Sequence, residues 1–125
     1  MPSFVYDPNK GIKSSGGGGF TVNSAIQGAH DSVSYGLNET DNLTTYGSTS
    51  ITTTAATGTI TLGDASRIGD TKFIVLADHG GNLTLSVTNH QGGDPTSFTG
   101  NGTGDCILLM WGGVQWYTVV NNGFA

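Results

Sequence analysis

From Leu83 to Thr88 the chain alternates without a break, with Leu83, Leu85 and Val87 on one side and Thr84, Ser86 and Thr88 on the other. A period of two marks a strand with one buried face. Thr57–Leu62 repeats the pattern, and Ser50–Ala55 is Thr-rich and strand-like. Lys72–Ala77 (Lys-Phe-Ile-Val-Leu-Ala) is almost continuously apolar, short and bounded by turn residues, so it reads as a strand buried on both faces. Cys106–Trp111 is a second apolar strand, and Val114–Val120 returns beside it through Gly112-Gly113. Pro95–Thr99 adds a short strand around Phe98. The segment Asp78–Asn82 is expected to close a hairpin between Lys72–Ala77 and Leu83–Thr88. This makes seven strands in roughly 75 residues, the spacing of a sandwich, jelly roll or small barrel. Parallel pairs would need helical crossovers, and none is visible, so antiparallel pairing is expected. The expected fold is all-β, a small antiparallel sandwich or jelly-roll-like barrel with an extended N-terminal arm.

Residues 1–48 form that arm, and residues 49–125 form the compact β-domain. The arm opens with a strand-like run, Ser3-Phe4-Val5-Tyr6, which Asp7-Pro8-Asn9 ends. A flexible linker follows, with four consecutive glycines at Gly16 to Gly19. Phe20 and Val22 alternate in a possible short strand. Beyond them Val33, Tyr35, Leu37, Leu43 and Tyr46 are scattered through a polar background that buries little area by itself.

Composition supports the strand reading. Glycine supplies 21 of 125 residues, and only 10% are charged, against about a quarter in ordinary domains. Residues that build helices are few. The net charge is −5, and the four basic residues (Lys10, Lys13, Arg67 and Lys72) form no cluster in sequence. Phosphate neutralisation needs clustered Lys and Arg, so direct nucleic-acid binding is not expected. The same lack argues against an anionic membrane surface. No apolar run approaches the roughly 20 residues that span a bilayer. Met1-Pro2-Ser3-Phe4 lacks a basic n-region and an apolar h-region, so synthesis in a cytoplasm is expected.

Candidate chemistry is sparse. Cys106, the one cysteine, sits in the most apolar run and reads as a small buried hydrophobe. His79 and His90 fall at opposite ends of the expected hairpin, roughly 25 Å apart, too far to share a metal. His30 is alone in the arm. Asp64, Asp70, Asp78, Asp94 and Asp105 stand in glycine-rich turns, where short polar side chains bond their own backbone. Apart from the stretch between Asp64 and Asp70 no loop holds more than one acid, so a calcium site would have to be built from separate loops, and no acid falls on a core-facing position as a glycosidase pair requires. The chain has neither a Gly-x-Ser-x-Gly elbow nor a phosphate-binding Gly-Lys-Ser/Thr. No catalytic residue, metal or cofactor is expected. The Asn-x-Ser/Thr triplets at Asn38, Asn42, Asn82 and Asn101 follow from the abundance of these residue types.

The aromatics are the candidate partner-binding residues. Trp111 and Trp116 flank the Gly112-Gly113 turn, and Tyr117 faces opposite to Trp116. Exposed, they could fill a partner's pocket or stack on sugars; otherwise they pack the core and cap one end of the sandwich. Phe4, Val5 and Tyr6, with Phe20 beyond the glycines, are apolar anchors on a tether. Such a strand either adds to a neighbour's sheet edge or completes this chain's own sheet.

One resemblance runs through the β-domain. Gly58 to Val119 carries Gly-Thr-Ile-Thr-Leu-Gly, Gly-Asp-Thr-Lys-Phe-Ile-Val-Leu, Gly-Asn-Leu-Thr-Leu-Ser-Val-Thr and Leu-Leu-Met-Trp-Gly-Gly-Val-Gln-Trp. In these it resembles β-modules of tailed-bacteriophage virion proteins, most of all the capsid decoration (cement) proteins of marine phages. The resemblance implies a non-enzymatic structural protein on the capsid exterior. Its partners would be the major capsid protein and further copies of itself, most often as a trimer. The short chain and its tether fit a protein that laces onto a preformed shell. A tail-fibre or tail-tip module that binds a host glycan or receptor is the alternative, and a small depolymerase is a more distant rival.

Overall fold

The computed structural model describes residues 29–125 and two N-terminal strands, β1 (Phe4–Asp7) and β2 (Gly11–Ser14). These two pair antiparallel, with Phe4 opposite Ser14 and Tyr6 opposite Ile12. Nine more strands follow: β3 (His30–Tyr35), β4 (Asp41–Asn42), β5 (Gly47–Thr53), β6 (Thr59–Leu62), β7 (Thr71–His79), β8 (Leu83–Val87), β9 (Thr96–Gly100), β10 (Cys106–Trp111) and β11 (Trp116–Asn122). The fold is an all-β sandwich. One sheet has the order β11-β10-β7-β5-β3, and the other has β4-β6-β8-β9.

The pairing is mixed rather than antiparallel throughout. From β3 to β8 successive strands alternate between the two sheets. Thus β3, β5 and β7 lie parallel in one sheet, and β4, β6 and β8 lie parallel in the other. A parallel pair needs a crossover, and here a strand of the opposite sheet serves as one. The chain therefore winds as a flattened coil. The last three strands close it in antiparallel pairing, β9 on β8 and β10 on β7, with β11 outside β10. The expected hairpin between Lys72–Ala77 and Leu83–Thr88 is not formed, because β7 and β8 belong to different sheets. The glycines in the connection explain how the chain turns there. A Cβ on Gly80 would strike the Thr53 carbonyl, and one on Gly81 would strike the Ala55 backbone. Only glycine lets this connection pass so close beneath its neighbour.

The boundary at residue 48 also shifts. Residues 30–48, placed in the arm by their weak periodicity, supply β3 and β4, and Tyr35 and Leu43 reach the core. The core is built from the inward positions of each strand: Ile51 on β5, Ile74 and Leu76 on β7, Ile107 and Leu109 on β10, facing Ile60, Leu62, Leu83 and Leu85. Burying a side chain of this size contributes about 1.5–3 kcal/mol. One end is filled by Trp111 and Trp116, packed edge to face with centroids 5.5 Å apart. Phe124 of the C-terminal tail lies over Gly100 toward the other end.

Candidate functional site

The strand β7 is not buried on both faces. Lys72, Ile74 and Leu76 point inward, while Phe73, Val75 and Ala77 point away from the second sheet. The strand β10 behaves likewise, with Ile107, Leu109 and Trp111 inward and Cys106, Leu108 and Met110 outward. Register then lines up three rows across the outer face of the five-stranded sheet. Val75, Cys106 and Asn122 form one row, Phe73, Leu108 and Val120 the next, and Thr71, Met110 and Tyr117 the third. The middle row is wholly apolar. Phe73 is 38% exposed, Met110 41%, Tyr117 43% and Val120 52%. Beyond β7 the face turns polar, with Ser48 and Ser50 of β5 and His30 and Ser32 of β3. At ~4.8 Å between strands and ~6.8 Å between rows, with side-chain width added, the apolar field covers roughly 300 Å². A contiguous patch of that size is a candidate binding surface.

Local structure at β11 sets the rim of this field. Pairing slips between Leu108 and Leu109, leaving Val119 as the extra residue of a bulge with its side chain exposed. The Tyr117 ring lies against Gly112, and its hydroxyl accepts a hydrogen bond from Gln115 Nε2 at 3.0 Å.

The candidate residues divide. Phe4, Val5 and Tyr6 form β1, whose side chains lie outside the described residues, as does the whole of Phe20. Trp111 and Trp116 are core residues, 5% and 0% exposed, and the Trp116 indole N–H donates to the Gly63 carbonyl at 2.9 Å. They offer a partner nothing. Tyr117 alone of the three belongs to the exposed field. The sequence reading missed Phe73, Leu108, Met110 and Val120. The signal for Phe73, Leu108 and Met110 is that the runs Lys72–Ala77 and Cys106–Trp111 are apolar on both faces while only one face meets the second sheet; Val120, in Val114–Val120, carries no such signal. Cys106 is half-buried at the edge of this field rather than in the core.

A second feature is the environment of Lys72, which is fully buried. Its ammonium donates to Thr49 Oγ1 at 2.6 Å, Thr44 Oγ1 at 2.7 Å and the Tyr46 carbonyl at 3.2 Å. Every partner is neutral. Thr44 passes the chain on, donating to Asp31 Oδ2 at 2.9 Å. Burial lowers the Lys72 pKa to about 8, and the more distant Asp31 charge opposes the shift. Nearby, an open cleft of about 360 Å³ is lined by Tyr46, Ser66, Arg67 and Asp70. Asp70 also accepts the Arg67 backbone N–H at 3.2 Å, which holds the turn.

His79 and His90 sit at opposite ends of the sandwich, given the directions of β7 and β8. Among the described residues no three His, Cys, Asp or Glu side chains gather as a metal site. Among the described residues no helix is long and apolar enough to cross a membrane. Comparison with known protein families gives no match, and comparison with curated proteins gives none either.

Proposed function

We propose that this chain is a non-enzymatic structural protein that assembles through the outer face of its five-stranded sheet. The observation that carries the reading is the row Phe73, Leu108, Val120, with Met110 and Tyr117 beside it, left open by a sandwich that buries only one side of two apolar strands. Each Å² covered contributes about 25 cal/mol. A field of roughly 300 Å² falls short of the roughly 800 Å² per partner of a standard interface. It therefore acts as the apolar centre of a larger contact. The resemblance of Gly58–Val119 to phage virion modules gives the setting. The protein is read as a capsid decoration protein, made in the host cytoplasm and carried on the virion exterior. There a homo-oligomer, with the trimer favoured, bridges neighbouring major capsid protein subunits and stabilises the shell.

The test is light scattering of the purified protein with and without expanded capsids, beside a Val120→Lys variant. Binding by the parent and at least tenfold weaker binding by the variant is the expected result. Equal binding by both removes the sheet face from the contact, and binding by neither removes the capsid from the reading.

A tail-tip module that recognises a surface glycan is the second reading. It draws support from the cleft where exposed Tyr46 stands beside Arg67 and Asp70, since an aromatic face with flanking polar groups suits a sugar ring. Glycan-array binding that Tyr46→Ala abolishes would favour it.

A further inference from the structure

The sandwich has four sheet edges, and three are short or partly covered. Along β11, Trp116 donates to the Asn89 carbonyl at 2.7 Å, Gln91 donates to the Trp116 carbonyl at 2.9 Å, and the Thr118 N–H donates to Gln91 Oε1 at 3.1 Å. Along β9, Thr99 and Ala125 exchange both backbone hydrogen bonds, at 2.8 and 3.0 Å. β4 is two residues long. The fourth edge, β3, runs six residues in unbroken register with β5. Among the described residues its other side makes no backbone hydrogen bond. Edges of this kind are normally blunted by Lys, Pro, a bulge or an inward charge. Of these β3 has only Asp31, whose carboxylate is already engaged by Thr44.

The same chain carries a two-stranded ribbon, β1–β2, paired with no third strand among the described residues. An isolated two-stranded ribbon is marginal in water and gains stability from a third. The chain from Ser14 to His30 can extend to about 50 Å. A sandwich of this size is about 30 Å across, so the ribbon can reach a neighbouring molecule.

We infer that the free edge of β3 receives the β1–β2 ribbon of a second copy of this chain, by strand addition. Each copy gives one ribbon and accepts one. The inference rests on the self-assembly reading above and names a second contact for it.

The test uses the full chain and a Val5→Pro/Ile12→Pro variant, since proline removes ladder donors and both sites lie outside the sandwich. Mass is followed by light scattering over a dilution series, and amide exchange is followed at Asp31–Tyr35. The parent is expected to be oligomeric, with alternate β3 amides protected about 100-fold over their rate at high dilution. The proline variant is expected to be of lower mass, to lose that protection and to keep the circular dichroism of the sandwich. Unchanged mass and protection in the proline variant overturns the inference. A monomeric parent whose β3 protection the prolines abolish also overturns it, because the ribbon then folds onto its own sheet. Val120→Lys separates the two contacts. If it alone lowers the mass, assembly through the sheet face stands and ribbon exchange falls. If only the prolines do so, ribbon exchange stands and the sheet-face contact falls.

Discussion

Replacing Lys72 with Met keeps most of the buried stem and removes the charge. The parent lysine pays for its burial in ionisation, since its pKa falls from 10.5 in the unfolded chain to about 8 in the fold. At 1.36 kcal/mol per pH unit the ceiling on that penalty is about 3 kcal/mol. Relaxation around the ammonium, whose partners Thr44 and Tyr46 lie at the exposed side of the fold, reduces it to about 1–2 kcal/mol. The substitution also leaves the buried Thr49 hydroxyl without its partner, at a cost of about 1–3 kcal/mol. The two effects nearly offset, so Lys72→Met should change stability at pH 7 by less than about 1.5 kcal/mol. The pH profiles are the sharper readout. Between pH 8 and 10.5 the unfolded chain holds the Lys72 proton more tightly than the fold does, so stability of the parent rises with pH across that window. Tyr35 acts in the opposite sense from pH 10 upward. Its pKa is raised by burial, by its hydrogen bond to Asp41 at 2.8 Å and by the charges of Asp41 and Glu39. Urea unfolding at pH 7.5, 8.5 and 9.5 therefore isolates the lysine. The parent should gain about 1 kcal/mol over that range while Lys72→Met stays flat. Parallel profiles for the two proteins would refute a perturbed ammonium at this position.

Three further outcomes follow from the packing. His90 Nδ1 accepts the Gly92 N–H at 3.0 Å while Nε2 lies 2.7 Å from Thr118 Oγ1, and burial lowers its pKa. Its contribution is complete above pH 6.5 and is lost as pH falls through the lowered folded value, so the thermal midpoint should drop between pH 7 and 5 and drop less in His90→Gln. Trp116→Phe leaves the Gly63 carbonyl unpaired and shrinks the end of the core, at about 2–3 kcal/mol in denaturant unfolding. Gly81→Ala drives a methyl into the Ala55 backbone and should cost at least about 2 kcal/mol, whereas Val120→Lys on the outer face should change unfolding by about 0.5 kcal/mol or less.

β6 and β8 were legible because their inward and outward positions differ in kind, and β7 and β10 because their apolar runs are short and bounded by turns. β8 is the clearest, with Leu83, Leu85 and Val87 buried and Thr84 and Ser86 half-buried, as its alternation says. β3 was illegible because its inward positions are Asp31, Val33 and Tyr35 and its outward ones His30, Ser32 and Ser34, so neither side is apolar throughout. Asp31 is exposed there and accepts a hydrogen bond from Thr44, a long-range partner. Lys72 looked like the start of a run, yet it shares the inward register of Ile74 and Leu76. Nothing in the run itself says that a lysine can stand there; Thr44, Thr49 and the Tyr46 carbonyl supply the oxygens that allow it. The parallel winding left no local trace, since a strand that crosses to the other sheet has the same pattern as one that folds back. Of the three C-terminal aromatics offered for partner binding, Tyr117 lies exposed and the two tryptophans lie in the core. Adjacency on a strand says that Trp116 and Tyr117 face opposite ways, but not which of them faces the second sheet.

The coil from β3 to β8 grows in one direction, and only its far end is sealed by the antiparallel strands. Each further pair of strands, one per sheet, would lengthen the body by about 4.8 Å and leave that seal untouched. Molecules built this way can change height through tandem duplication of a short gene segment, because each new turn needs only the turn beside it. Any surface carried on the antiparallel end, the apolar field included, would ride unchanged on a taller or shorter stem.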